Sequence, residues 1–187
     1  MNLLFRLLWV VLWKARQGKQ TGAFDTSYIS FRAWPTDCDV YMHMTNSRYS
    51  SFNDLARTNL LAKIGVLPTL IKRNMKFYVN ASEFTFIRGI QPLQKFTIEA
   101  RLVGWDEKYL YVEHRFVSKK GLHCIAHARA VITTAKGQQV HLTELLSEKR
   151  YEEQPQLPEA VIAWKSLLEK KKESSVQSGA GTEARAC

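Results

Sequence analysis

Four segments that alternate apolar and polar residues follow one another from Met75 onward, and they constrain the fold more than anything else in the chain. They read "KFYVNASEFTFI", "KFTIEARLVGW", "KYLYVEHRFV" and "LHCIAHARAVITT". Period-two alternation over this length predicts strands with one face buried, and the connections carry turn residues such as Asp106-Glu107, Lys119-Lys120-Gly121 and Lys136-Gly137. Short connections predict neighbouring antiparallel strands. In "CIAHARAVI", Cys124, Ala126, Ala128 and Ala130 fall on one face and Ile125, His127, Arg129 and Val131 on the other. A row of small side chains lets a helix come close to a sheet. The covering helix lies just upstream, where Tyr49, Phe52, Leu55, Ala56 and Leu60 recur at helical spacing behind a cap at Thr45 or Asn46. A second short helical stretch, "LPTLIKRN", follows it. One long helix and then a run of antiparallel strands is an α+β plan.

The ends differ from this middle. Residues 1–26 open with "MNLLFRLLWVVLWKARQGK", apolar almost all round from Leu3 to Trp13 except for Arg6. Eleven helical residues span about 16 Å, roughly half a bilayer core, which argues against a transmembrane span. Two readings fit. In one, the segment dips into the cytoplasmic face of a membrane with Arg6, Lys14, Arg16 and Lys19 at the headgroups; in the other, it packs on its own domain or on a partner subunit. Residues 27–146 form the predicted domain. Residues 147–187 supply a short amphipathic helix over 157–173 and then a small, polar stretch expected to be disordered.

The net charge of +10 sits largely on the domain, where 16 Lys/Arg face 9 Asp/Glu over residues 27–146. That favours an anionic partner. Nucleic acid is not expected, because the basic residues do not interleave with aromatics and no binding motif is present. Cys38, Cys124 and Cys187 follow no paired spacing, which argues for a reducing compartment, here the cytoplasm. Cys38 stands between Asp37 and Asp39, whose charges raise a thiol's pKa and disfavour an activated thiolate. His123 and His127 share a strand face but lie about 13 Å apart, too far for one metal ion, so they read as solvent-facing or cross-strand residues. No Cys/His cluster, Gly-rich phosphate loop or GxSxG elbow occurs. No metal or resident cofactor is expected.

What remains is "TDCDVYMHMTNSRYSSFNDLARTNLL", from Thr36 to Leu61. Helix-start amides at Thr45 to Ser47 carry partial positive charge and suit a developing oxyanion. Asp39, just before, is able to activate water or attack directly. The alternative is that these polar groups only cap the helix.

The segment resembles the hotdog-fold acyl-CoA thioesterases of the 4-hydroxybenzoyl-CoA thioesterase type, whose motif runs approximately TD-x-x-G-H-V-N-N-x-x-Y. "DVYMHMTNSRY" keeps Asp39, His43, Asn46 and Tyr49 at that spacing, and "FNDLAR" keeps Phe52, Asp54 and Arg57. Met42 stands where the motif has Gly, and Thr45 where it has the first Asn. The likeness runs over roughly residues 27–143 and is strongest to the thioesterase superfamily member 6-like branch. The resemblance implies a hotdog fold, one long helix wrapped by an antiparallel sheet, and a homodimer or higher homo-oligomer built through sheet edges. It also implies hydrolysis of acyl-CoA thioesters, with a coenzyme A thioester as substrate. Asp39 takes the catalytic carboxylate position and the Asn46 backbone N–H the carbonyl-polarising one. His43, Tyr49 and Arg88 fall on substrate-contacting positions; His43 alternatively only shapes the loop, and Arg88 either meets the phosphates of coenzyme A or is plain surface. Asp37 lies outside the motif and is left to cap, to pair with a base such as Arg32, or to face solvent. The rival function is a non-catalytic acyl-CoA or lipid-binding scaffold that reaches membranes through residues 1–19.

Overall fold

The computed structural model describes Phe5, Arg6, Val10 and residues 21–146 and 156–183. The strands are β1 (Ser27–Arg32), β2 (Lys76–Phe86), β3 (Lys95–Trp105), β4 (Leu110–Ser118), β5 (Gly121–Thr133) and β6 (Gln139–Val140). The helices are α1 (Asn46–Lys63), α2 (Leu67–Lys72) and α3 (Glu159–Glu183). All strand pairs are antiparallel and form one sheet in the order β1-β3-β4-β5-β2, with β6 added on β5. This is the hotdog arrangement, α1 lying along the sheet's concave face.

The core face follows from the register. Ile29 pairs with Ile98, Ile98 with Phe116, and Phe116 with Cys124, and all four are buried. Tyr49 and Phe52 of α1 press into this face: Phe52 meets Phe31 and Phe96 at 5.1 Å each, and Tyr49 meets Phe116 at 4.9 Å. Aromatic rings at these separations add to the area they bury. Cys124, Ala126, Ala128 and Ala130 are all wholly buried, as expected. The α1 backbone nevertheless runs nearest β1, β3 and β4. The room left by the small residues is flanked by Phe84, Phe86 and Phe116 on the paired strands.

Three expectations need correcting. The strand opening the run, β2, does not pair with β3 but crosses to the far edge beside β5. Its connection, residues 87–94, is long enough to cross, and its start is tied down where the amides of Ile87 and Arg88 donate to the His123 carbonyl. Second, α3 does not stop near residue 173 but continues to Glu183, because Ser and Gln cost little in a helix and an interior Gly about 1 kcal/mol without breaking it. The chain divides after Pro155, so α3 belongs to a separate unit, Gln156–Cys187. Third, of the two readings given to His123 and His127, solvent-facing fails, because both are buried, while cross-strand holds.

His127 is a cross-strand residue within a charged ladder on the outer face. Arg101 donates to Glu113 at 2.9 Å, and the two nitrogens of His127 face Glu113 and Glu83. Burial pushes the His127 pKa down, but hydrogen bonds to Glu113 and Glu83 outweigh it and the net direction is up. The His127 hydrogen bond is the largest cause holding Glu113 at about 2, against burial, with Arg101 adding to it. The signs differ. The His127 contribution is complete below its ordinary pKa and is lost as pH rises through the raised value. The Glu113 contribution is complete above its ordinary 4.5 and is lost as pH falls toward about 2. The ladder therefore stabilises most between about pH 4.5 and 6.5. We expect His127→Gln to flatten the decline in melting temperature between roughly pH 6 and 9, and an unchanged decline would exclude His127 as its source.

Candidate active site

The turn ahead of α1 is built by main-chain bonds at short range. Cys38 and Met44 form an isolated antiparallel bridge, and the Asp39 amide donates to the His43 carbonyl at 3.0 Å. Inside it, the Met42 amide donates to the Asp39 carbonyl at 3.1 Å and the Tyr41 amide to Asp39 Oδ1 at 2.9 Å. Closing such a turn requires a left-handed residue, and Met42 takes that role at φ 59°. This is the position where the motif has Gly, so the conformation survives without the residue that adopts it most cheaply; Met42 accepts roughly 1 kcal/mol of strain.

Asp39 keeps 30% of its side chain exposed, with Oδ1 3.6 Å from His43 Nδ1. The chain then enters α1. The Thr45 amide is not free, since it donates to the Asp37 carbonyl at 3.1 Å. The amides of Asn46 and Ser47 have no partner among the described residues, so the helix start offers two open donors rather than the three expected.

His43, Asn46, Tyr49 and Arg88 line one cavity of about 230 Å³ with Met44, Phe86, Ile87 and Gly89. Four of the five residues singled out from the sequence thus meet around one space, and Asp39 stands beside it through its bridge to His43. Tyr49 is mostly a core residue, 2% exposed, and burial pushes its hydroxyl up to about 12. It shapes the cavity as a neutral ring. Arg88 is exposed and donates to the Lys120 carbonyl, while Lys120 Nζ reaches Gln91 Oε1 at 2.8 Å. Gly89 comes so close to the turn that an added Cβ would lie 3.1 Å from His43 Cβ. A larger groove of about 390 Å³ runs between α1, α2 and β2, where the Asp54–Arg57 pair meets Leu61, Leu67 and Phe77, but it holds none of these five residues.

Two residues outside these five support the site: His123, whose part in it was not read from the sequence, and Asp37, which was expected to cap or to pair with a base and does both, with Arg6 and Arg48 in place of Arg32. His123 Nδ1 lies 3.1 Å from the Arg88 carbonyl, which only accepts, so Nδ1 carries the proton and Nε2 accepts from Ser118 Oγ at 2.7 Å. Its own carbonyl receives the Ile87 and Arg88 amides, so His123 grips the cavity wall from both sides. The second is Asp37. It is 2% exposed, Arg32 instead bonds the Leu93 carbonyl, and Asp37 pairs with Arg6 at 2.8 Å and Arg48 at 3.4 Å. It also caps the Trp34 amide at 2.9 Å. Arg6 therefore points into the domain, not toward headgroups, and Val10 is wholly buried. Lys14, Arg16 and Lys19 lie outside the described residues. As expected, Cys38 is a raised-pKa thiol, through burial first and then Asp37 and Asp39.

A curled antiparallel sheet around one helix, with a carboxylate turn at the helix start, defines a hotdog domain of thioesterase type. The sequence profile of the thioesterase-like superfamily matches residues 33–165, and the chain belongs to that family. It is 36% identical over 109 residues to a probable thioesterase of Saccharomyces cerevisiae, covering 58% of this chain and 47% of that protein. It is 28% identical over 159 residues to Protein THEM6 of Danio rerio, covering 85% and 78%. The chain thus spans about half the length of the yeast relative. Among solved structures, a probable thioesterase from Bartonella henselae superposes with a TM-score of 0.58 at 20% identity, covering 63% of this chain and 99% of that one. A mutant 4-hydroxybenzoyl-CoA thioesterase complexed with 4-hydroxybenzoyl-CoA also gives 0.58, at 19% identity over 65% and 99%. Among the described residues no helix is long and apolar enough to cross a membrane.

Proposed function

We propose that the chain hydrolyses acyl-CoA thioesters at the start of α1, with Asp39 as base or nucleophile. One observation carries this reading: a half-open carboxylate is fixed in a tight turn directly ahead of two unpartnered helix amides, beside a cavity lined by His43, Asn46 and Arg88. A thioester carbonyl set against the Asn46 N–H is polarised, and its oxygen gains a donor as negative charge develops there. Water deprotonated by Asp39, or Asp39 itself, adds to the carbonyl carbon. Collapse of the tetrahedral species breaks the C–S bond and releases the coenzyme A thiol; by the nucleophilic route, water then cleaves the mixed anhydride. Arg88, which donates to the Lys120 carbonyl and so stands beside the Lys119-Lys120 turn, suits the phosphates of coenzyme A.

The site works as a homodimer in this reading. β2 ends the sheet with eleven residues, half of whose side chains are exposed in alternation, and such an edge invites pairing with a second copy. The test is an acyl-CoA panel of graded chain length on purified protein, with sedimentation at micromolar concentration. Hydrolysis by a dimer is expected. A monomer that hydrolyses would remove the dimer, and a dimer that binds acyl-CoA without turnover would favour the scaffold function.

A further inference from the structure

The N-terminal segment and the catalytic turn meet at one buried carboxylate. Asp37 Oδ2 receives Arg6 Nη2 at 2.8 Å and the Trp34 amide at 2.9 Å, while Oδ1 faces Arg48 Nε at 3.4 Å. The Asp37 carbonyl takes the Thr45 amide, the last residue before α1. Residues 37 and 45 are therefore the two feet of the hairpin that carries Asp39, His43 and, immediately beyond, Asn46. Arg6 holds one foot by its charge and lies over the helix as well, its guanidinium carbon 4.9 Å from the centre of the Phe52 ring. Phe52 is wholly buried, so this cation–π contact is desolvated on the protein side. Arg6 does not line the cavity and so has no route to substrate.

We propose that Arg6 is a positioning residue for the thioester chemistry: it fixes Asp37, and through Asp37 the distance between the Asp39 carboxylate and the α1 amides. The inference rests on the function proposed above. The physical logic is that Asp39 is half-exposed, on a turn whose internal bonds fix its shape but not its placement against α1. That placement depends on the feet and on the Met44 amide, which donates to the Ile90 carbonyl at 2.7 Å; Arg6 acts on the first foot. A misplacement of about 1 Å is enough to cost a catalytic step up to 10²-fold.

The experiment replaces Arg6 by Ala and by Gly in the full-length chain, with Arg6→Lys as the variant that keeps the charge should the smaller residues prevent folding. Expected for Arg6→Ala is a fall in kcat of about tenfold or more with KM for acyl-CoA unchanged, partly restored in Arg6→Lys. Adding millimolar guanidinium should raise kcat of Arg6→Gly, whereas a protein that had only lost stability would not respond at that concentration. A second readout needs no turnover: amide hydrogen exchange at Asp39, Met42, Met44 and Thr45 should accelerate in Arg6→Ala while β3 and β4 amides keep their protection. Unchanged kcat with unchanged exchange in the turn would overturn the proposal, as would a variant that loses melting temperature but keeps kcat per folded molecule. If the parent hydrolyses nothing, the functional reading fails by itself, and the exchange rates still decide whether Arg6 sets the turn.

Discussion

Replacing Asp39 by Asn is expected to lower thioester hydrolysis by a factor of about 10² or more while leaving fold and assembly intact. The expectation is specific because the substitution spares the turn. Asp39 Oδ1 accepts the Tyr41 amide at 2.9 Å, and an Asn carbonyl oxygen is able to accept the same bond. The main-chain bonds from Asp39 to Met42 and His43 do not involve the side chain. With 30% of the side chain exposed, little packing is disturbed. What disappears is the capacity to take a proton from water or to attack carbon. Rates on several acyl-CoA lengths, with circular dichroism and sedimentation as controls, measure the effect. Equal rates for Asp39→Asn and the parent would end the assignment of Asp39 as base or nucleophile, whichever route hydrolysis follows.

Asp37→Leu should instead cost stability, by about 3 kcal/mol, because it leaves the Arg6 guanidinium without its buried counter-charge and takes one partner from Arg48. Arg6 and Arg48 keep only 20% and 14% of their side chains exposed, so water cannot replace the carboxylate fully. The Trp34 amide also loses its acceptor. For a domain of this size the loss corresponds to roughly 10 °C in melting temperature. The two neighbouring acids thus differ in readout: Asp37→Leu lowers the melting temperature and, through the turn it holds, kcat as well, whereas Asp39→Asn lowers the rate alone. A melting temperature for Asp37→Leu within a degree or two of the parent would mean that the paired charges contribute nothing net.

The strands β2 to β5 and the helix α1 were legible because each carries its own period, and the observed ends fall within two residues of those read from alternation. β1 was not singled out. Its six residues, "SYISFR", alternate well but are too short to stand apart from the loop before them. Nor could the placing of β2 beside β5 be read, since periodicity fixes which face of a strand is buried and says nothing of which neighbour it pairs with. At the site, the family resemblance carried by Asp39, His43, Asn46 and Tyr49 was legible, and of these the last three line one cavity while Asp39 stands beside it. The long-range partners were not: Arg6 and Asp37 are 31 positions apart, and His123 reaches Arg88 across 35. Histidine in a strand reads as polar, so burial of His114, His123 and His127 runs against the pattern that located the strands.

The closeness of Gly89 to His43 ties together two positions that no local rule connects. Any side chain at 89 makes the His43 ring base give way by a few tenths of an ångström, and with it the turn that bears Asp39. Over evolutionary time the two sites are therefore coupled: a side chain gained at 89 is best accommodated by a smaller or shifted residue 43. Substitutions at 89 should be better tolerated in libraries that vary both positions than in libraries that vary 89 alone.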